Sequence, residues 1–104
     1  MKNPYPNEKF SRAINTLATS PKSIQERIAD AYVYDIIHVK AEDVPEDSRY
    51  RFEELQRKMT SVEPESDEGS VVASTQKLTT DEAVQIANEI MELADVIQCY
   101  YYDM

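Results

Sequence analysis

Apolar residues recur along most of the chain at intervals of three and four positions, the spacing that gives an α-helix one apolar face. Apolar and polar residues rarely alternate, and glycine occurs only once, so the pattern offers little support for β-strands. We therefore expect an all-α fold, a compact bundle of four main helices in a single helical domain over residues 1–104. The short connections favour antiparallel neighbours.

The first predicted helix runs from about Glu8 to Ala18. Asn7 suits its N-cap, because a short polar side chain can accept a hydrogen bond from the free amides of the first turn. Pro4 and Pro6 should keep the preceding segment extended. The apolar stripe of this helix consists of Phe10, Ala13, Ile14, Leu17 and Ala18.

The second predicted helix has the broadest apolar stripe. Ser20 suits its N-cap and Pro21 its first helical position, where the missing N–H costs nothing. The periodic pattern continues to about Val39. A stripe this broad predicts a central helix with neighbours on both sides. Its members are Ile24, Ile28, Ala31, Tyr32, Asp35, Ile36 and Val39, widened by Ala29, Val33 and Ile37.

The third predicted helix follows a turn at Ala41–Val44. Pro45 begins it, and it ends near Thr60. The next segment, Ser70–Leu78, fits either a short helix or an extended stretch, and we prefer a short fifth helical element. The inner face of the third helix consists of Phe52, Leu55, Met59 and Val62.

The last predicted helix begins at a capping box, in which Thr79 and Glu82 satisfy free amides of the first turn reciprocally. An apolar stripe then continues for about five turns, as expected at 3.6 residues per turn. Its members are Ala83, Ile86, Ala87, Ile90, Leu93, Ala94, Ile97 and Tyr101.

The formal net charge is −9, and it is concentrated toward the C-terminal end. Residues 78–104 contain six acidic and no basic side chains, so direct binding to nucleic acid is not expected, whereas basic partners would be attracted. We also expect a cytoplasmic protein without a membrane span or signal peptide, because no run of about 18 apolar residues occurs and the start lacks an apolar segment. The single cysteine fits a reducing compartment.

The stretch TSVEPESDEGSVV at 60–72 is the obvious candidate for a metal-binding loop. An EF-hand loop requires a glycine at its sixth position, an oxygen ligand at its first and a glutamate at its twelfth. Aligning Gly69 with the sixth position puts Pro64 first and Thr75 twelfth, and neither fits. We therefore expect no metal or other cofactor, and we interpret the stretch as a polar interhelical loop or, alternatively, a binding loop.

Catalytic chemistry has little support in the sequence. His38 is the only histidine, and no nucleophile motif accompanies it, so we expect a position on a helix surface or at a helix end. Cys99 has acidic neighbours and nothing that would stabilise a thiolate, which favours a half-buried structural thiol. We expect a non-enzymatic protein with no catalytic residues, and an enzyme with an unrecognised site is the weaker alternative.

The C-terminal run QCYYYDM places three consecutive tyrosines on the last helix, where they must point in different directions. Tyrosine is favoured at interfaces, and the middle of the chain contains three more tyrosines, Tyr32, Tyr34 and Tyr50. The run either caps the bundle or binds a partner. The predicted partner-binding residues are Tyr100, Tyr102, Glu82, Glu89, Glu92 and Asp95.

These features favour a small acidic protein with a regulatory or accessory role, acting through contacts with another protein or with a second copy of itself. The alternative is a DNA mimic that inhibits a nucleic-acid-binding enzyme of the restriction or CRISPR type. Small size and an acidic last helix fit the mimic, but many proteins are this acidic merely for solubility.

Three segments, ATSPKSIQERIADAY at 18–32, VEPESDEGS at 62–70 and LTTDEAVQIANEI at 78–90, resemble small bacterial proteins of unknown function. The resemblance covers most of the chain, from Ala18 to Ile90. It implies a compact helical bacterial protein and carries no activity or site residues. It also implies that the DEG element at 67–69 belongs to the fold as a turn.

Overall fold

Five α-helices form the protein in a computed structural model that describes residues 4–63 and 69–102, the side chain of Tyr102 excepted. Within those residues no strand occurs, and three short 3-10 turns, Ile36–His38, Ala41–Asp43 and Glu46–Ser48, connect the second helix to the third. The all-α class is confirmed, with four main helices and a short one before the last. The helices are α1 Tyr5–Thr19, α2 Ile24–Tyr34, α3 Arg49–Met59, α4 Gly69–Gln76 and α5 Thr80–Tyr102.

The first helix begins three residues earlier than predicted. Pro4 is its N-cap, with φ −75° and ψ −6°, and Pro6 lies in the first turn. The Glu8 amide already donates to the Pro4 carbonyl at 3.1 Å. The prediction of an extended lead-in capped by Asn7 is therefore wrong. A proline in the first helical turn loses no intrahelical hydrogen bond, so these prolines start the helix instead of delaying it.

The second helix is shorter at both ends than predicted. Its N-cap is Ser23, whose hydroxyl accepts from the Glu26 amide at 3.2 Å and donates to the Glu26 carboxylate at 2.9 Å. At the other end, Asp35 adopts φ −129° and ψ −62°, which breaks the helix before the turn at Ile36–His38. The chain after the break places Ile36 and Val39 in the core and Ile37 in solvent. Val33, another member of the predicted stripe, is also exposed, within α2 itself.

The core lies between α5 and the helices around it. α5 packs against α1, α2 and α3, while α2 packs against α1, α4 and α5, which agrees with its predicted central position. Each apolar stripe turns toward this shared interior because burial of apolar surface is the main favourable term in folding. The largest fully buried side chains include Phe10, Ile28, Ile36, Phe52, Leu55, Met59, Ile90, Leu93 and Ile97.

Gly69, the only glycine, begins α4 in the left-handed region, with φ +83°. Residues other than glycine rarely adopt this conformation, so a substitution at Gly69 would strain the backbone where α4 begins. Nearby, the Val62 amide donates to the Ser74 hydroxyl at 2.9 Å and ties the chain after α3 to α4. The short-helix interpretation of Ser70–Leu78 is confirmed in outline. Residues 64–68, in the middle of the acidic stretch at 60–72, lie outside the described residues.

The α5 capping box is confirmed. The Thr79 amide donates to the Glu82 carboxylate at 2.9 Å, and the Glu82 amide donates to the Thr79 hydroxyl at 3.1 Å. The hydrogen bonds from the Thr79 amide and then from its side chain lower the pKa of Glu82 below its ordinary value of 4.5. Two of the four free amides at the start of α5 are thus satisfied locally.

Replacing Thr79 with alanine should lower the free energy of unfolding by about 1 kcal/mol, because one amide of the first turn loses its acceptor.

Since folding lowers the pKa of Glu82, its carboxylate contributes stability at neutral pH, and this contribution is lost as the pH falls through the lowered pKa. Urea denaturation of Glu82→Ala and the native protein should therefore show a difference at neutral pH that vanishes in acid. A difference that persists in acid would show that Glu82 acts through something other than its charge.

Candidate protein-binding surface

The outer side of α5 and the neighbouring side of α3 together form a candidate binding surface. Because Ala83, Ile86 and Ile90 face the core, the residues on the opposite side of α5 point to solvent. We use the name α3–α5 surface for the following residues of the two helices: Tyr50, Arg51, Glu54, Asn88, Glu89, Met91, Glu92, Asp95 and Val96.

Two ion pairs join α3 to α5 along this surface. The Lys58 ammonium lies 3.0 Å from the Glu89 carboxylate, and the Arg51 guanidinium donates to the Glu92 carboxylate. Both glutamates were predicted to contact a partner. Their charges are therefore partly offset inside the protein, and α5 does not present a continuous row of uncompensated carboxylates.

Two shallow grooves lie on either side of the Arg51–Glu92 ion pair. Tyr50 lines the first groove and Met91 the second, and their exposed fractions are 69% and 53%. An aromatic ring and a flexible thioether side chain, both accessible and close to charged groups, are typical of surfaces that bury apolar groups of a partner.

The charges around the two grooves are almost balanced, with a small acidic excess. Four carboxylates, those of Glu54, Glu89, Glu92 and Asp95, contribute to the lining. Three of them pair with a cation of α3: Glu54 with Arg57, Glu89 with Lys58 and Glu92 with Arg51. Within the described part of the chain, Asp95 has no ion-pair partner, so it carries the uncompensated charge of this surface.

Of the six predicted partner-binding residues, three meet on the α3–α5 surface: Glu89, Glu92 and Asp95. Glu82 lies at the start of α5, where its carboxylate belongs to the helix cap. Tyr100 lies near the other end of α5 and is exposed. The side chain of Tyr102 lies outside the described residues.

One member of the tyrosine run has the predicted capping role, and the partner-binding role stays a prediction. Tyr101 packs against the core, and its hydroxyl donates to the Asp43 carbonyl at 3.0 Å, so it caps the bundle. Burial, followed by the nearby Asp43 charge, raises the pKa of Tyr101. Tyr100 meets the Tyr101 ring edge to face, with centroids 5.2 Å apart, and presents part of its own ring to solvent.

The other tyrosines separate clearly by burial. Tyr32 is buried in the core, whereas Tyr34 and Tyr50 are the two most exposed large apolar side chains in the described residues, at 68% and 69%. In the sequence, Tyr50 is one tyrosine among several, and nothing in its spacing connects it with α5. Met91 was not predicted to contact a partner, although its spacing from the Ile86–Ile90 stripe places it on the outer side of the helix.

The two candidate catalytic side chains are both exposed. His38 lies in the 3-10 turn after α2, and Cys99 lies on α5 as a free thiol. The prediction of a half-buried Cys99 is wrong, because position 99 falls on the side of α5 opposite the Leu93–Ile97 stripe.

Among the residues described, no group of three or more histidine, cysteine, aspartate or glutamate side chains could hold a metal ion. No described helix is both long enough and apolar enough to cross a membrane.

Comparisons of the chain with protein-family models, with curated proteins and with solved structures find no match, so the resemblance to small bacterial proteins stays a prediction.

Proposed function

We propose that this chain is a non-enzymatic accessory or regulatory protein that binds another protein through the α3–α5 surface. The observation that carries this proposal is the placement of Tyr50 and Met91, both largely exposed, on either side of the Arg51–Glu92 ion pair. Aromatic and methionine side chains are enriched at protein interfaces, where they bury a large apolar area. Tyr100, which is exposed near the end of α5, would extend the contact in that direction.

The competing proposal is a DNA mimic that inhibits a nucleic-acid-binding enzyme. In its favour, Asp81, Glu82 and Asp95 are exposed along a helix that contains no basic residue. Against it, Lys58 and Arg51 offset the charges of Glu89 and Glu92, which a mimic of regularly spaced phosphates would need to present. The binding of an apolar partner surface explains the exposed Tyr50 and Met91, which mimicry leaves without a role.

Photo-crosslinking can identify the partner. A benzophenone amino acid replaces Met91 in one variant and Glu26, an exposed residue of α2, in the matched control. After irradiation in lysate from the organism of origin, we expect a protein that is captured from position 91 and not from position 26. Capture of the same proteins from both positions would contradict a partner specific to the α3–α5 surface.

Two tyrosines of equal exposure then test the surface against that captured protein. Tyr50→Ala should weaken binding about tenfold, because truncating an aromatic anchor typically costs more than 1 kcal/mol. Tyr34→Ala on α2 should leave binding unchanged. Tyr100→Ala and Tyr102→Ala measure how far the contact extends toward the end of α5. Equal losses at positions 34 and 50 would contradict the proposed location.

Salt dependence separates the two proposals. A DNA mimic replaces many phosphate contacts, so its affinity should fall steeply between two salt concentrations, and DNA should compete with it. Contact dominated by Tyr50 and Met91 predicts a much shallower dependence, because apolar contacts are not screened by salt. A steep dependence together with full binding by Tyr50→Ala and Tyr100→Ala would favour the mimic.

A further inference from the structure

We infer that the occupant of the α3–α5 surface is an amphipathic helix with basic flanks, an inference that rests on the proposed function. The α3–α5 surface has two shallow depressions, and a partner helix can lay its apolar face across them, as in other helix-in-groove complexes. The described residues contain no strand, and hence no sheet edge to which an extended segment could add. The shape of this surface therefore favours a helical partner.

The apolar contacts would come from both helices of the surface. Tyr50 of α3 and Met91 of α5 stand on opposite sides of the Arg51–Glu92 pair, and partly buried Val96 contributes to the floor of the second groove. A helix lying between them could bury its apolar stripe against all three. Methionine suits such a contact because its flexible side chain adapts to different apolar shapes.

The carboxylates of the α3–α5 surface favour basic residues on either side of the partner helix's apolar stripe. Asp95 forms no ion pair among the described residues, although Arg51 lines the same groove, and the Glu92 side chain remains largely exposed although it pairs with Arg51. Lysine or arginine on the partner would meet these carboxylates, whereas an acidic helix would be repelled. A second copy of this chain is also disfavoured, since pairing two α5 faces would bring their acidic side chains together.

A synthetic peptide tests this directly. The probe has about 14 residues, about four helical turns, of leucine and lysine, with leucine at the i, i+3, i+4 and i+7 positions. One control peptide has the same composition in an order without an apolar face, and another carries glutamate in place of lysine. We expect the probe to shift amide resonances of the α3–α5 surface, the reordered peptide to bind at least about tenfold more weakly, and the glutamate peptide not to bind.

Matched variants of the protein separate a specific site from general charge attraction. Asp95→Lys should weaken probe binding about tenfold, whereas Asp81→Lys, with the same change of net charge on the same helix, should leave it unchanged. Met91→Asp should also weaken binding, and Met91→Leu should retain it. Thermal unfolding by circular dichroism checks that each variant is folded. Equal effects at positions 81 and 95, or shifts centred on Val33 and Ile37, would overturn the inference.

Failure of this inference can be distinguished from failure of the proposed function. If the captured partner depends on Tyr50 while the probe neither binds the surface nor competes with that partner, the basic helix is wrong and the protein-binding surface stands. If the captured partner is indifferent to Tyr50→Ala, the proposed function itself is wrong. Competition between probe and partner, lost in Asp95→Lys and retained in Asp81→Lys, is the result that supports both.

Discussion

Replacing Phe52 with alanine should lower the free energy of unfolding by about 4 kcal/mol. Phe52 on α3 and Phe10 on α1 are both fully buried, and their ring centroids lie 6.2 Å apart at an interplanar angle of 55°. Truncation removes apolar contacts and leaves a cavity between the helices that the surrounding core fills only in part. Since small domains are stable by roughly 5–15 kcal/mol, this change should remove a large part of the total.

Tyr50→Ala provides the control for this prediction, because it removes a larger side chain only two positions away on the same helix. Tyr50 is largely exposed, so its loss should change the free energy of unfolding by no more than about 0.5 kcal/mol. Urea denaturation followed by circular dichroism measures both variants. Combining Phe52→Ala with Phe10→Ala should also reveal a coupling energy of about 1 kcal/mol between the rings. Similar losses at positions 50 and 52 would contradict the assigned burial of α3.

The sequence predicts a helix boundary well where the interactions that fix it lie within a few consecutive residues. The start of α5 could be predicted because Thr79 and Glu82 form the cap within four consecutive residues. The start of α2 was wrongly predicted at Ser20, because Pro21 suits a first helical position, although Ser23 lies three residues later and also offers an N-cap. Only Ser23 has a glutamate three positions later, and the observed helix uses that pair. The Ser20-Pro21 pair precedes the helix instead.

The end of α2 illustrates a different limit. Val33 and Ile37 continue the apolar spacing of the helix, so the sequence predicts a single helix to Val39. The break at Asp35 redirects the chain through a 3-10 turn in which Ile37 is exposed, and Val33 is already exposed within α2 before the break. Apolar periodicity alone does not register such a break, because the turn at Ile36–His38 still places Ile36 in the core.

The candidate surface could be predicted only within one helix. The spacing of Glu89, Glu92 and Asp95 places them on the outer side of α5, and this part needs no tertiary information. Their pairing with cations of α3, and the approach of Tyr50 to that face, depend on the register in which α3 packs beside α5. The packing of the whole core sets that register. The sequence therefore predicted the acidic side chains of α5 but not their ion pairs with α3.

Replacing Lys9 with methionine should lower the free energy of unfolding by about 3 kcal/mol, because it leaves a buried carboxylate without its cation. Asp35 lies at the break after α2, and the Lys9 ammonium approaches one of its carboxylate oxygens to 3.9 Å. The two side chains are only 14% and 9% exposed. The Lys9 ammonium also lies 5.2 Å from the centre of the Tyr5 ring. Methionine keeps much of the lysine stem, so the expected loss comes from the charge.

The surface pair between Lys22 and Asp30 is the matched control. Its contact is shorter, at 2.9 Å, but its side chains are 53% and 28% exposed. Water and salt screen that pair, so Lys22→Met should scarcely move the urea midpoint. Asp35→Asn added to Lys9→Met should recover part of the lost stability, since the uncompensated charge is then removed. If Lys22→Met cost as much as Lys9→Met, distance would decide the strength of these pairs. We expect the larger loss from Lys9→Met. That result would mean that burial decides the strength of these pairs, because an unpaired charge matters most where water cannot solvate it.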